Sequence, residues 1–303
     1  METIFNQNKC LFISEVSSNH NGDINRCKEL IDATAEAGCD GVKFQLFKIK
    51  DLFSPEAIRA NPKLIDRIQW ELKEEMIPEL ADYSKTKNLL FSCTPFYLDA
   101  VDVLEPFVDF FKIASYELLW KDLFVACANT GKPLVFSTGM CIEDEIHRAL
   151  DSIENSKVKE VLILHCNSSY PTPIQHVNLA VIDTLRNKFS TQIPDKLIDF
   201  GWSDHTVSPS VMLSAVLKYK SKMVEFHIDL DGRGREFESG HCWLPNQIGD
   251  VINLIREASE ADGSALIQPS PSELIERQWR ADPHDGLRPL KETREKLIKG
   301  EPI

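Results

Sequence analysis

Residues 197–206 read Leu-Ile-Asp-Phe-Gly-Trp-Ser-Asp-His-Thr, an apolar run that passes through Gly201 into Ser203, Asp204 and His205. An apolar run with a glycine near its end reads as a buried strand entering a polar loop. About one helix later Met223–Asp229, MVEFHID, repeats the pattern and places His227 near its end. Two imidazoles at the ends of successive strands can hold one divalent ion. Six earlier runs have the same form: Cys10–Val16, Val42–Phe47, Leu89–Cys93, Phe110–Ala114, Leu134–Ser137 and Val161–Cys166. Amphipathic stretches separate them. Asn25–Gly38, for example, carries Cys27, Leu30, Ile31, Thr34 and Ala35 on one face and stops at Gly38. Strand–helix alternation of this kind predicts a parallel sheet with crossover helices, and eight such pairs close into a (β/α)8 TIM barrel. The alternative is an open doubly wound sheet, which usually carries a Gly-rich phosphate turn after its first strand. The turn here is SSNHNGD, residues 17–23.

The barrel is expected over residues 1–263. Asp51–Gln69, broken by Pro55 and Pro62, is an insertion after the second strand, expected as a loop with short helices over the mouth. Pro78 should kink or restart the helix of Glu71–Lys87. Residues 264–303 are expected as a short C-terminal extension packed on the barrel, too small for a core of its own. It begins with Pro and Ser, continues as a polar helix and the turns of DPHDGLRP, and ends in a charged helix closing at Gly300.

Bulk composition narrows the function classes. The 303 residues carry a net charge of -13 with no Lys/Arg cluster, which speaks against nucleic acid as a partner. None of the eight cysteines forms a C-x-x-C pair, and reduced thiols fit a cytoplasmic protein better than a disulfide framework. The N-terminus lacks the apolar core of a signal peptide. No apolar run approaches the roughly 20 residues that span a bilayer, so no membrane partner is expected.

In a barrel the active site lies at the C-terminal ends of the strands. Those ends are Glu15; Lys43 and Gln45; Thr94; Lys112, Ser115 and Glu117; Ser137; Ser168 and Tyr170; Ser203, Asp204 and His205; and His227. Polar residues also mark where any strand leaves a core, which suffices for a single Ser or Thr. The two lysines are different. Each is flanked by strand apolars and must point into the barrel or snorkel out between helices. An unpaired buried ammonium costs several kcal/mol, so two of them suggest a shared anionic ligand. No third His or Cys stands out to complete a tetrahedral zinc site with His205 and His227, so a water-rich octahedral ion is expected. Glu15, on the strand that closes against the eighth, either neighbours that ion or pairs with Lys43, and both can hold. His165 can face either way, His20 belongs to the SNHNG turn, and Trp120 and Trp202 read as packing.

The motifs ISEVSSNHNGD (13–23), AGCDGVKFQLFK (37–48), FSCTPF (91–96), FFKIAS (110–115), VFSTGM (135–140), LHCNSSYPTP (164–173), GWSDHT (201–206) and VEFHIDLD (224–231) stand in a recognisable order. From Phe12 to Asp229 the chain resembles the N-acetylneuraminate (sialic acid) synthase family. The resemblance implies a (β/α)8 barrel that condenses phosphoenolpyruvate with an open-chain acylamino sugar aldehyde to a nine-carbon 3-deoxy-ulosonic acid, releasing phosphate. It implies that Lys43, Thr94, Lys112, Ser115, Ser137, Ser168 and Ser203 hold phosphoenolpyruvate. Gln45, Glu117 and Tyr170 would face the sugar, and Glu15 would be the catalytic carboxylate. His205 and His227 would ligate a divalent metal ion, Mn²⁺ first, with Mg²⁺ or Co²⁺ as alternatives.

Two departures bear on the sugar side. The family usually continues into a small antifreeze-like domain that sends an Arg into the partner subunit's sugar site. The 303 residues leave no room for one, so the C-terminal extension covering the site is one alternative, and the expected partners are a second copy in a homo-oligomer or a separate antifreeze-like protein. After the eighth strand the family often has G-P-D-H, where this chain has DGRGREFESGHCWLP at 231–245. Glu238 and His241 are candidates for the sugar-binding acid's place, and Arg233, Arg235, Arg280 or Arg288 for that of the missing Arg. A barrel that binds ligands or needs a partner, without turnover of its own, is the rival reading. A condensation with a sugar phosphate would want further Arg or Lys near the mouth.

Overall fold

The computed structural model describes residues 4, 5 and 9–302. Among them, eight strands pair in parallel in chain order: β1 (Leu11–Glu15), β2 (Gly41–Leu46), β3 (Leu90–Pro95), β4 (Phe110–Ile113), β5 (Leu134–Ser137), β6 (Glu160–Cys166), β7 (Leu197–Asp204) and β8 (Met223–Ile228). β8 returns to pair with β1, matching Leu11 to Met223 and Glu15 to His227, and the sheet closes into a (β/α)8 barrel. A short β9 (Cys242–Trp243) joins the upper end of β8, opposite His227 and Ile228.

The crossover and mouth helices are α1 (Ile24–Glu36), α2 (Ile49–Leu52), α3 (Pro55–Ala60), α4 (Ile77–Thr86), α5 (Asp99–Leu104), α6 (Lys121–Asn129), α7 (Glu143–Ser152), α8 (Val181–Phe189), α9 (Pro209–Leu213) and α10 (Pro245–Ala261). Local chemistry sets several boundaries. The Asp23 carboxylate accepts from Asn25 N at 2.8 Å and caps α1. Pro78 falls in the first turn of α4, so the expected kink is a restart: a 3₁₀ turn over Glu74–Met76 ends and the α-helix begins. α9 continues as one π-helical turn, Ser214–Lys218.

Strand pleat divides the core in two. Outward side chains such as Phe44, Phe91, Phe111, Phe136, Phe200 and Phe226 are buried in the layer between strands and helices. Each stabilises by about 1.5–3 kcal/mol through lost apolar exposure. Inward side chains form a second cluster, Leu11, Ile13, Phe110, Val135, Leu162, Leu164 and Met223, with Phe5 beside Phe110 as part of it. This is the floor. Because alternate residues share a face, the residues two positions further along β1, β4, β5 and β8 form the next layer: Glu15, Lys112, Ser137 and Glu225, joined by Lys43 and Ser203. The pleat therefore sets an ionic layer on an apolar one.

The chain divides into two compact units, Met1–Ser259 and Glu260–Ile303. The second holds 3₁₀ turns at Pro271–Glu273 and Glu276–Trp279, then α11 (Lys291–Lys299), which ends at a left-handed Gly300. The expected polar helix is thus two separate turns, since runs this short gain too few hydrogen bonds to offset helix nucleation. Asp282 organises the unit by accepting from His284 N at 3.0 Å and Lys291 N at 2.8 Å. No helix among the described residues is long and apolar enough to cross a membrane.

The inward face is tight at Gly201, where a Cβ would overlap the Met223 carbonyl and lie 2.8 Å from Leu164 Cδ2. Gly201→Ala should cost about 1–3 kcal/mol, as overpacking does. The expected result is a lower urea midpoint at unchanged m-value, and an unchanged midpoint would show that β7 and β8 can part without penalty.

Candidate active site

Lys43 and Lys112 both point into the barrel, each 2% exposed. Their neighbours come from four other strands. Lys43 pairs with Glu15 from β1 and donates to Thr94 Oγ1 from β3 at 3.0 Å. Glu225 from β8 lies between the cations: its Oε2 is 3.8 Å from Lys43 Nζ and its Oε1 is 3.4 Å from Lys112 Nζ. Ser203 from β7 donates to Glu225 Oε1 at 3.2 Å. Glu15 is held from behind by Ser17 N, which donates to Oε1 at 2.7 Å. Burial lowers the Lys43 ammonium to about 8, against the pull of Glu225. Burial raises Glu225, but Lys112 and Lys43 outweigh it and keep the carboxyl well below its usual range.

Beside this cluster, Ser137 Oγ and Ser168 Oγ are buried and make no hydrogen bond among the described residues. A buried hydroxyl left so costs about 1–3 kcal/mol, which marks a place for ligand oxygens. Gly139 lets them gather, since a Cβ there would overlap Ser168 Oγ and crowd Ser115 Oγ at 2.8 Å. Its N–H donates to Ser115 Oγ at 3.0 Å.

The imidazoles occupy the side of the rim where β7 and β8 end. His205 Nδ1 is 2.8 Å from the Asn167 carbonyl, and His227 Nδ1 is 2.9 Å from Glu236 Oε2. An acceptor at each Nδ1 holds the proton there and leaves Nε2 with its lone pair, the arrangement of a metal-ligating histidine. Burial lowers His227 to about 4, so its ring is neutral near pH 7. His205 is fixed through its neighbour: Asp204 accepts from Trp202 Nε1 and Trp243 Nε1, both at 3.1 Å, and from Thr206 Oγ1 at 2.7 Å. Asp204 is thereby a structural anchor. The ring centroids of His205 and His227 are 5.2 Å apart. The donor set, two imidazoles each with an oxygen acceptor at Nδ1, fits a divalent ion.

A cavity of about 700 Å³ opens onto both clusters. Of the residues expected from sequence, Glu15, Lys43, Gln45, Lys112, Ser115, Glu117, Ser137, Tyr170, Ser203, His205 and His227 line it. Thr94 stands behind Lys43, and Ser168 lies against Gly139, so neither is part of the lining. Burial raises the Glu117 carboxyl to about 7, with Lys112 acting the other way. The insertion after β2 supplies Leu52, Phe53, Arg67 and Trp70 to the cavity wall, with the Arg67 guanidinium 5.8 Å from the Phe53 ring and 5.4 Å from the Trp70 ring.

Several expectations need correction. Glu238 is exposed and outside the cavity, whereas Glu236 lines it and bonds His227 and Ser17. A third histidine does reach the imidazoles: His241 is 4.6 Å from His227 by ring centroids, because β9 pairs with β8 and carries residue 241 back to the rim. Of the arginines considered, Arg235 lines the cavity and Arg233 pairs with Asp231 on the surface, while Arg280 and Arg288 belong to the second unit. No sequence pattern singles out Arg67. Glu225 carries a signal, since its place two residues before His227 on a strand puts both on one face. His165 faces the helical layer, with Nε2 2.9 Å from Val177 O and its ring against Trp202.

Comparison with known proteins adds an independent finding. The NeuB family profile matches residues 30–266. An uncharacterized protein of Methanocaldococcus jannaschii is 35% identical over 264 residues, which is 86% of this chain and 74% of that one. The N,N'-diacetyllegionaminic acid synthase of Campylobacter jejuni is 32% identical over 280 residues, 88% of this chain and 81% of that one. The crystal structure of the N-acetylneuraminic acid synthetase from Leptospira borgpetersenii, in complex with citrate, superposes with a TM-score of 0.76. That match is at 27% identity over 89% of this chain and 90% of that one.

Glu225→Gln leaves two buried ammonium groups with one carboxylate. Unfolding measurements should show a loss of about 3–5 kcal/mol, as when a buried pair loses one member. Inorganic phosphate should recover more stability in the variant than in the parent. Equal recovery would mean that Glu225 does not balance the lysines.

Proposed function

The chain belongs to the NeuB family, and from that premise we propose that it condenses phosphoenolpyruvate with an open-chain acylamino sugar aldehyde to a sialic-acid-like 3-deoxy-ulosonic acid and phosphate. The observation that carries this reading is the meeting of two buried lysines and two oriented imidazoles in one cavity. A strongly anionic substrate suits the lysine side and a polarisable oxygen suits the imidazole side. A cavity of about 700 Å³ has room for a three-carbon acid and a hexose derivative together.

Lys43 and Lys112 neutralise the phosphate and carboxylate of phosphoenolpyruvate. Ser115, Ser137, Ser168 and Ser203 orient its oxygens, and Thr94 fixes Lys43 in place. Gln45, Glu117 and Tyr170 face the sugar, with Arg67 and Arg235 as the cations available to it. C3 of the enol bonds to the aldehyde carbon while water adds to C2, and the resulting tetrahedral centre expels inorganic phosphate. Glu15 positions that water and takes its proton. His205 and His227 would hold a divalent ion, which would supply Lewis acidity toward the aldehyde oxygen. Mn²⁺ and Co²⁺ accept nitrogen and oxygen donors together, Mg²⁺ prefers oxygen, and Mn²⁺ is our first choice, with Mg²⁺ and Co²⁺ as alternatives.

The test is a panel of acylamino sugars assayed for phosphate release from phosphoenolpyruvate, with products read by mass spectrometry. Release is expected only with both a sugar and a divalent ion. No release with any sugar and any of Mn²⁺, Mg²⁺ and Co²⁺ would favour a barrel without turnover of its own. Lys112→Ala should raise KM for phosphoenolpyruvate at unchanged metal content, while His205→Ala should reduce metal content.

The pH profile gives a second check. Lys43 is cationic below about 8, and kcat/KM reports groups of the free enzyme. That ratio for phosphoenolpyruvate should fall as pH rises through about 8, and the falling limb should vanish in Lys43→Arg. A limb unchanged in the variant would remove Lys43 from substrate binding.

A further inference from the structure

His241 has an environment that nothing so far accounts for. It is 3% exposed, and neither ring nitrogen has a hydrogen-bond partner among the described residues. A buried imidazole must keep one N–H donor and one lone pair, and leaving both unmet carries the desolvation penalty of each. The neighbours offer no relief. The Tyr170 ring stands edge-on at 4.8 Å, and Glu236 Oε2 lies 3.5 Å from Nε2 but is already engaged by His227.

The placement of the ring is as telling as its lack of partners. His241 lies 4.6 Å from His227 and 6.0 Å from His205, with those two 5.2 Å apart. Imidazoles bound to one ion through nitrogens at about 2.1 Å place their centroids about 4.6–5.3 Å apart at octahedral to tetrahedral angles. Both separations from His227 lie within that range, and the third exceeds it by less than an ångström-scale ring movement, on the order of 1 Å, would supply. His227, Glu236 and His241 also offer ligand atoms within 4.8 Å of one another.

We propose that His241 is a third imidazole ligand of the divalent ion, delivered by the loop between β8 and β9, with Glu236 orienting His227 from behind. The proposal rests on the assignment of His205 and His227 to that ion. Three nitrogen donors make the site closed on one side and open toward the substrates, which is the form of a catalytic centre. They also favour borderline ions over Mg²⁺, a poor partner for imidazole. Cys242 belongs to the same group of donors, but its sulfur already accepts from Asn19 Nδ2 at 3.5 Å.

The experiment uses the full chain loaded with Mn²⁺ or Co²⁺ alone, without substrates. Electron spin-echo modulation of the Mn²⁺ protein counts bound imidazoles and needs no variant; three are expected, and two would overturn the proposal. Calorimetric titration of His241→Ala should show Mn²⁺ and Co²⁺ binding weakened at least about 10–100-fold, the loss caused by removing even an orienting partner. The Co²⁺ ligand-field absorption should change with it. If His241→Ala binds both ions as the parent does while His205→Ala loses them, His241 is no ligand and the His205–His227 pair stands. If His205→Ala also retains parental affinity, the pair itself is wrong and this proposal goes with it.

Discussion

An ammonium group in the dry interior of a barrel must have an anion beside it, and this molecule buries two. Lys43 and Lys112 stand on β2 and β4, while their counter-charges Glu15 and Glu225 stand on β1 and β8. Those two acidic strands are the pair whose hydrogen bonds close the ring. Closing the barrel and balancing its charge are therefore one event. An open sheet would leave Glu225 far from both lysines, with each bearing the desolvation penalty alone. The apolar layer of Leu11, Ile13, Phe110, Val135 and Met223 beneath keeps water from below and so strengthens every interaction in the ionic layer above.

The imidazole side is built on a different constraint, the satisfaction of a single buried carboxylate. Asp204 collects hydrogen bonds from Trp202, Trp243 and Thr206. Trp243 lies on β9, so this carboxylate ties the end of β7 to the strand that follows the β8 loop. His205 follows Asp204 directly, and His241 precedes β9 by one residue. One anchor thus sets the spacing of groups that are distant in the chain. Asn19 contributes from the first loop, donating to Ile228 O at 2.8 Å and accepting from Glu236 N at 2.8 Å. The rim near β1 and β8 is a cross-linked surface in which the side chains have little freedom to leave their positions.

The N-acetylneuraminic acid synthetase of Leptospira borgpetersenii shares the barrel, and a fold of this kind by itself carries no single activity. What would adapt such a scaffold to one acceptor sugar lies in the loops. Among the loops that reach the cavity are the insertion that brings Phe53, Arg67 and Trp70, and the loop that brings Arg235, Glu236 and His241. Trp70 Nε1 is buried without a hydrogen-bond partner among the described residues, beside the Arg67 guanidinium over its ring. The wall built by the insertion therefore offers a donor, a cation and aromatic faces, while the wall beside Lys43 and Lys112 is ammonium and hydroxyl.

The sequence by itself determined the order and number of the eight barrel strands, because hydrophobic period depends only on neighbouring residues. It also determined which strand ends carry Lys43, Lys112, His205 and His227, since those lie inside regular runs whose pleat assigns their face. Glu225 was within its reach by the same rule. The approach of Glu236 and His241 was decided by tertiary structure alone. They sit in an irregular loop, where no period assigns direction, and only the pairing of β9 with β8 brings them back to His227. The same holds for Arg67, whose route to the cavity runs through short helices broken by two prolines. Local sequence governs which face a side chain takes, whereas the distance between faces is set by ring closure and the hydrogen bonds that finish it.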